Sequence, residues 1–412
     1  MTFATPSTQT PWRLILSMEA LSGLTNQFME ILLPWYVLHT TNSVLWTGVV
    51  GFCLLLPNIF SSLFGAPVID KIGRSKTMLA CEVSQFLLIA AIAALVFAGY
   101  NAPSLIGLLI FLCSFFDAPG QLARTALIPS FSRYAAVPLS KTTGLSQALD
   151  GMTTVIGPIL GGLVIAAYGL FSAWASCALF CFIIVNLCLF VYSNRRARSL
   201  RKQVTYCDVS SFLRTDRSLC KALIFTIPTF ILGQSWELIL LPTYIYEHGF
   251  SSVYLGLLGA AFGLGAFIGA LCFAKRAQKF SFSTLLSLNY LGYFISVWVL
   301  FFNLPKVWVL TGTLLSGIPF GAFGAMITSF ILLKTPSELR SKTLGLFAAA
   351  TYTVESCSIV AIAACITWCG LQRTLFIINC IFAVLVLVSI CAHKQTDFWQ
   401  ILPSETKKSF TN

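Results

Sequence analysis

Twelve long apolar runs, joined by short polar connections, dominate this chain of 412 residues. Each run is long enough to cross a bilayer as a helix, which takes about 20 apolar residues. Only 10% of the residues are charged, whereas soluble domains carry about 25%, so the composition excludes a soluble domain and a disordered chain. The sequence therefore predicts an all-α polytopic membrane protein. The expected spans are 13–38, 44–68, 77–99, 103–126, 143–167, 172–193, 219–246, 251–273, 282–303, 307–333, 343–368 and 373–392.

The basic residues predict the orientation of these spans. With the N-terminus in the cytoplasm, 24 of the 26 Lys and Arg residues fall on the cytoplasmic side, and only Lys306 and Arg373 fall outside. This asymmetry follows the positive-inside rule and predicts that both termini are cytoplasmic. It also accounts for the net charge of +12 without a nucleic-acid partner, and no basic patch with interleaved aromatic residues is present.

One long polar stretch divides the chain into two sets of six spans. The predicted organisation is a cytoplasmic N-terminus at 1–12, an N-terminal six-helix bundle at 13–193, a central cytoplasmic loop at 194–218, a C-terminal six-helix bundle at 219–392 and a cytoplasmic tail at 393–412.

The two halves repeat short sequences at nearly one offset. SKTTGL at 140–145 recurs as SKTLGL at 341–346, 201 positions later. GA at 65–66 recurs at 269–270, 204 positions later. Gln27-x-x-Glu30 recurs as Gln234-x-x-Glu237, 207 positions later. Parallel six-helix repeats of this kind are the architecture of a large class of transporters.

Two motifs give the chain a specific resemblance. Residues 66–76, APVIDKIGRSK, resemble the G-x-x-x-D-[RK]-x-G-[RK]-x-[RK] signature of the major facilitator superfamily, with Ala66 in place of the first glycine. Residues 157–162, GPILGG, resemble the GPxxGG core of the antiporter motif of drug exporters. The resemblance covers the whole chain. It implies twelve transmembrane helices in two six-helix repeats that work by alternating access.

Three further segments are similar to one branch of that superfamily, the one that holds enterobactin exporters and macrolide efflux pumps. They are FDAP at 116–119, ALIP at 126–129 and ELRSK at 338–342.

The resemblance also implies a cytoplasmic gate after the second span. In the family pattern Asp70 faces the start of span eleven, where a helix N-terminus carries partial positive charge. The basic residues of the signature would then hold carboxylates or helix C-termini across the interface between the halves. Alternatively, these charges simply anchor the topology. The predicted gate residues are Asp70, Lys71, Gly73, Arg74, Lys76, Glu82, Asp117 and Arg124.

The antiporter-like motif places Gly157, Gly161 and Gly162 on one face of span five. Small residues allow close backbone approach, and Pro158 would bend the helix. This pattern predicts a tight seam between the halves that suits export. Ordinary helix packing is the alternative.

Acids within the spans are the sharpest functional signal, because they are costly in a bilayer and face a cavity or a partner. Glu30 and Glu237 occupy matching positions in spans one and seven, each with a Gln three residues earlier on the same face, Gln27 and Gln234. In the resembled family these spans line the central cavity. Because burial disfavours the charged form, such a carboxyl can carry a proton. Glu355 in span eleven is the next candidate. A carboxyl satisfied by a neighbouring helix and a partner for a cationic substrate are the alternatives.

Together these features predict a secondary-active exporter of a small amphipathic molecule, drug-like or siderophore, driven by inward proton flow across the cell inner membrane. A nutrient or metabolite importer or facilitator of the same fold, or a lipid flippase, is the alternative. The sequence shows no phosphate-binding loop, no paired histidine and acidic loop motif, and no Cys or His ligand spacing. We therefore expect no enzyme activity, no cofactor and no metal. The expected partners of this monomer are a small-molecule substrate, protons and lipid.

Overall fold

The computed structural model describes residues 6–100, 102–193, 217–276, 282–335 and 339–393, which are almost entirely helical. The first half contains α1 (Pro6–Thr41), α2 (Val44–Ile72), α3 (Arg74–Phe97), α4 (Pro103–Tyr134) and α5 (Leu139–Ser193). The second half contains α6 (Arg217–Ser235), a π-helical turn (Trp236–Leu240), α7 (Leu241–Glu247), α8 (Ser252–Arg276), α9 (Phe282–Phe301), α10 (Lys306–Lys334), α11 (Arg340–Cys369) and α12 (Leu371–His393). Most of the predicted central loop and nearly all of the predicted tail lie outside the described residues.

Within the described residues, ten helical segments are long and apolar enough to cross a membrane. One of them, Lys141–Val191, has 51 residues. At 1.5 Å per residue its length is about 75 Å, more than twice the thickness of a bilayer core of about 30 Å. Its helical dihedrals break at Gly169, where φ is 80°. The helix α1, with 36 residues, is not among the ten, and the count of twelve spans stays a prediction.

The chain falls into two compact units that do not follow the boundary between its halves. The first unit combines the first half with Gly233–Ala260 and Gly345–Thr367. Within it, α1 packs mainly on α5, while α4 packs on α2 and α3. These helices share an apolar core made of Ile15, Met18, Ile69, Met78, Ala123, Leu127, Phe131, Ile184, Cys188 and Val191. The division into two six-helix bundles stays a prediction.

The second unit is built around close helix contacts. In it α9 packs against α10 and α12, and α8 meets α10 through two pairs of glycines with GxxxG spacing. A Cβ added at Gly265, Gly269, Gly317 or Gly321 would collide with a backbone carbonyl of the opposite helix. Small residues spaced in this way allow membrane helices to pack backbone against backbone.

Candidate functional site

Glu30 of α1 and Glu237 of the π-helical turn line the same narrow cavity, whose volume is about 20 Å³. Gln27, one turn before Glu30, lines it too. The two carboxyl groups interact electrostatically. A cavity of this size holds about one water molecule. It can therefore hydrate an exchanging proton but cannot accept an organic molecule.

The π-helical turn Trp236–Leu240 explains how the two acids keep similar positions relative to the prolines that follow them. Three residues separate Glu30 from Pro34, whereas four separate Glu237 from Pro242. A π-helical turn is wider than an α-helical turn and absorbs one additional residue. Glu237 therefore stays about one turn before its proline, as Glu30 does.

A larger cavity, of about 210 Å³, lies in the same unit of the structure. Glu30 lines this cavity as well as the narrow one. Among the described residues that line it there is no Lys, Arg or His. Its polar lining residues are Ser22, Thr25, Asn26, Glu30, Asn58, Gln85, Ser114, Asp117, Gln121, Gln234 and Tyr352.

Asp117 lies on the wall of this larger cavity rather than with the basic residues of the signature. Its Oδ1 accepts a hydrogen bond from Gln85 Nε2 at 2.6 Å, and its Oδ2 accepts one from Asn26 Nδ2 at 3.3 Å. The helix α4 continues to Tyr134, past the predicted end at 126, so that Asp117 sits near the middle of the helix. The sequence predicted Asp117 as a gate residue, in one inner-leaflet network with Glu82 and Arg124.

Arg124, two turns further along α4, belongs to a buried ionic cluster. Its guanidinium donates hydrogen bonds to Glu82, to Glu19 at 3.3 Å and to the Ser22 hydroxyl at 2.8 Å. The side chains of Arg124 and Glu82 are 2% and 3% exposed. The cluster joins α1, α3 and α4, so Glu82 and Arg124 come together as expected, but within the first half.

The signature loop is a tight turn between α2 and α3. Gly73 alone separates the two helices, with φ at 101°, and its N–H donates to the Ile69 carbonyl at 2.8 Å. A side chain is strained at this φ, since only glycine adopts it readily. The backbone conformation therefore accounts for the glycine at this position of the signature.

The charged residues of the signature have different surroundings. Lys71 and Lys76 are exposed, and Arg74 Nη1 donates to the Ala126 carbonyl in α4 at 3.0 Å. Asp70 ends up in the last turn of α2, with its side chain outside the described part of the structure. The gate that these residues would form therefore stays a prediction.

The antiporter-like motif packs against α1 on one side. A Cβ at Gly157 would lie 2.5 Å from the Cβ of Gln27, far too close for two carbons. At Gly161 a Cβ would lie 3.4 Å from the Phe28 carbonyl, an ordinary contact. Gly157 thus sets the distance between α5 and the segment of α1 that carries Gln27.

On the other side the motif packs against the start of α8. A Cβ at Gly162 would lie 2.5 Å from the Ser252 carbonyl, and the Ser252 hydroxyl donates to the Gly162 carbonyl at 3.0 Å. A Cβ at Gly256 would collide with the Pro158 carbonyl. The motif therefore lies between α1 and α8 with almost no free space.

Of the three remaining predicted site residues, two line a cavity and one does not. Gln234 lines the larger cavity, whereas Gln27 lines the narrow one. Glu355 in α11 is 7% exposed and interacts electrostatically with Glu237. Glu355 does not contribute to the described lining of either cavity, but Tyr352, one turn earlier, lines the larger one.

Asp117, Gln85 and Asn26 are the cavity residues whose grouping sequence reasoning missed. Within α4 a signal was available, because Asp117, Gln121 and Arg124 have the i, i+4, i+7 spacing of one helix face. The partners from α1 and α3 gave no comparable signal.

Comparisons with known proteins agree with this architecture. A sequence model of the Major Facilitator Superfamily matches residues 15–356. The multidrug efflux pump Tap of Mycolicibacterium fortuitum is 23% identical over 92% of this chain and 95% of its own. The staphyloferrin A transporter of Staphylococcus aureus is 26% identical over 40% of this chain and 42% of its own.

Solved structures show the same fold at low sequence identity. The nucleoside transporter NupG superposes with a TM-score of 0.76 at 12% identity and covers 94% of this chain and 100% of its own. A D-xylose-proton symporter superposes with a TM-score of 0.70 at 13% identity over 95% and 98% of the two chains. The all-α polytopic class predicted from the sequence is confirmed.

Proposed function

The chain belongs to the Major Facilitator Superfamily, and from that premise we propose that it is a proton-coupled exporter of a small amphipathic molecule, either a drug-like compound or a siderophore. A relative that matches it over nearly the whole length of both chains is a multidrug efflux pump. A second relative, over a shorter match, is a siderophore transporter. The observation that carries the proposal is the position of Glu30 on the walls of both cavities.

The sizes of the two cavities suit a proton in one and a substrate in the other. The narrow cavity has room for about one water molecule and brings Glu30 close to Glu237. Two carboxylates that share so small a space repel each other, and one bound proton relieves that repulsion. The larger cavity has room for an organic molecule or part of one. Because Glu30 borders both spaces, a proton on the carboxyl pair and a substrate in the larger cavity can influence each other directly.

Alternating access provides the transport cycle. We propose that the two six-helix bundles, 13–193 and 219–392, rock about the substrate site and expose it to each side of the membrane in turn. Asp70 and the basic residues of the signature would hold the cytoplasmic side closed. The seam at Gly157, Pro158, Gly161 and Gly162 would limit leakage.

The charge distribution supports a proposal for the orientation of the chain in the membrane. We propose that it lies in the cell inner membrane with both termini in the cytoplasm, because 24 of its 26 basic residues then face inward. We also propose that it acts as a monomer.

Everted membrane vesicles test the proposal. Vesicles that contain the wild-type chain are energised with ATP, and the release of protons is recorded when an amphipathic dye is added. We expect the wild type to exchange dye for protons and a protonophore to abolish the exchange. Glu30→Gln and Glu237→Gln should abolish it too, since neither amide can carry the proton.

Asp150→Asn provides the matched control. Asp150 is an exposed acid of α5 that lines neither cavity, so its loss removes the same charge without touching the site. Dye movement that persists without a proton gradient would contradict proton coupling. Energised exchange that survives both Glu substitutions would contradict the assignment of the site, and proton-driven uptake into cells would reverse the direction.

A further inference from the structure

We propose that Asp117, held by Gln85 and Asn26, is a binding subsite for an organic ammonium group, distinct from the Glu30–Glu237 proton site. The inference deepens the proposed function and rests on it, since it names the chemical class of the molecule that the larger cavity accepts. The expected substrate is a cationic amine that also carries hydrogen-bonding groups.

The geometry of Asp117 leaves it able to bind a ligand. Each of its carboxylate oxygens accepts one amide hydrogen bond, from Gln85 at 2.6 Å and from Asn26 at 3.3 Å. A carboxylate has about four lone-pair positions, so a donor from a ligand can still be accepted. The two amides fix the orientation of the carboxylate at the wall of a cavity of about 210 Å³. Cavities of about 150 Å³ already accept an aromatic ring.

The charge balance of the cavity favours a cation. The described lining contains the acids Glu30 and Asp117 and no basic side chain. Arg124 lies two turns along the same face of α4, but its guanidinium is 2% exposed and hydrogen-bonds to Glu82 and Glu19. It is therefore committed to those acids and is not presented to a ligand. An ammonium group would supply the missing positive charge, whereas a carboxylate-rich ligand would be repelled.

The rest of the wall determines what else the ligand carries. Beyond Asp117, its two partners and Glu30, the polar lining comprises carboxamides, hydroxyls and a phenol, which donate and accept hydrogen bonds. Leaving such groups unpaired against a purely apolar ligand is costly. A ligand with amino, hydroxyl or carbonyl groups around its cation is therefore favoured. The groups concerned are Ser22, Thr25, Asn58, Ser114, Gln121, Gln234 and Tyr352.

Two xanthene dyes of opposite charge test the subsite without any proton gradient. The Kd of cationic rhodamine 123 and of anionic carboxyfluorescein is measured by fluorescence polarisation on the purified full-length chain in detergent. We expect the wild type to bind rhodamine 123 more tightly than carboxyfluorescein. Asp117→Asn, which keeps the shape of the side chain but replaces one acceptor oxygen with an NH2 donor, should weaken rhodamine 123 binding about tenfold or more, as for the loss of a charged hydrogen-bond partner.

Two further variants separate a binding role from a structural one. Asp117→Glu keeps the charge and should recover part of the affinity, while Asp150→Asn removes an exposed acid from α5 and should leave it unchanged. Elution volume and melting temperature in detergent establish that each variant is folded. A structural defect would weaken the binding of both dyes, whereas loss of the subsite would change the ratio of their Kd values.

The outcomes distinguish this inference from the proposed function. The subsite is overturned if the Asp117→Asn variant binds rhodamine 123 with the wild-type Kd, or if the wild type does not prefer the cationic dye. Either result would count even if proton-driven export is observed. Charge-selective binding that depends on Asp117 supports the subsite even if the vesicle experiment shows no proton coupling.

Discussion

Replacing Arg124 by methionine is expected to lower the free energy of unfolding by about 3–5 kcal/mol, the typical cost of breaking a buried ion pair. The size follows from what Arg124 leaves behind. Glu82 is 3% exposed and loses its guanidinium partner, while Glu19 is 18% exposed and can turn to water. Ser22 also loses a hydrogen bond of 2.8 Å. Methionine has a similar length, so the loss reflects the stranded Glu82 charge rather than an empty space.

A double substitution tests this reasoning. If the stranded charge causes the loss, Glu82→Leu combined with Arg124→Met should be about 2 kcal/mol more stable than Arg124→Met alone, because an apolar pair replaces the ionic one. Titration of the purified protein from dodecylmaltoside into sodium dodecyl sulfate measures these differences. An Arg124→Met variant within about 1 kcal/mol of the wild type, or a double variant less stable than both single variants, would refute the argument.

Two glycine substitutions test the backbone geometry by the same titration. Gly162→Ala should lower the free energy of unfolding by about 1–3 kcal/mol and slow dye export, because its Cβ would lie 2.5 Å from the Ser252 carbonyl. The control Gly144→Ala has open space around it and should change the free energy of unfolding by less than about 1 kcal/mol. Gly73→Ala meets no neighbouring atom, so a loss of about 1–3 kcal/mol there would measure the strain of its φ of 101° alone. A stable Gly162→Ala variant, or a Gly73→Ala variant as stable as the wild type, would show that the helices or the turn adjust freely.

The sequence was sufficient for the class of fold, and it indicated that Glu30 and Glu237 belong together; their role in transport stays a prediction. Long apolar runs have few solutions other than membrane helices, because lipid cannot satisfy a backbone polar group. The constant offset between the repeats placed Glu30 and Glu237 at corresponding positions, and the structure puts both on one cavity. Repeat symmetry is a strong guide here because each acid sits in the equivalent helix of its own half.

Local geometry was harder to foresee. The π-helical turn had a signal in the extra residue between Glu237 and Pro242, but the sequence alone does not say whether a helix bulges or rotates. Asp117 was predicted to belong to the gate, in one inner-leaflet network with Glu82 and Arg124. The helix α4 runs on to Tyr134, since a helix can extend beyond the bilayer into water. The partners Gln85 and Asn26 come from other helices, so only tertiary packing reveals them.

The shared position of Glu30 leads to a further prediction about pH. A cation at Asp117 lies in the cavity that Glu30 also lines, so it favours the ionised form of the Glu30–Glu237 pair and promotes release of a proton. Linkage is reciprocal, so a proton on the pair weakens cation binding by the same factor.

The Kd of rhodamine 123 should therefore rise as the pH falls, by about tenfold if the coupling is typical of linked sites. Glu30→Gln should flatten this dependence because its amide does not titrate. Asp117→Asn weakens binding but leaves the pair able to titrate, so a residual pH dependence should persist. Fluorescence-polarisation titrations across the pH range measure the Kd of rhodamine 123 for the wild type and both variants. A wild-type Kd that is constant with pH would show that the two sites are independent. The coupling of substrate to proton would then have to arise from the movement of the bundles rather than from the shared cavity wall.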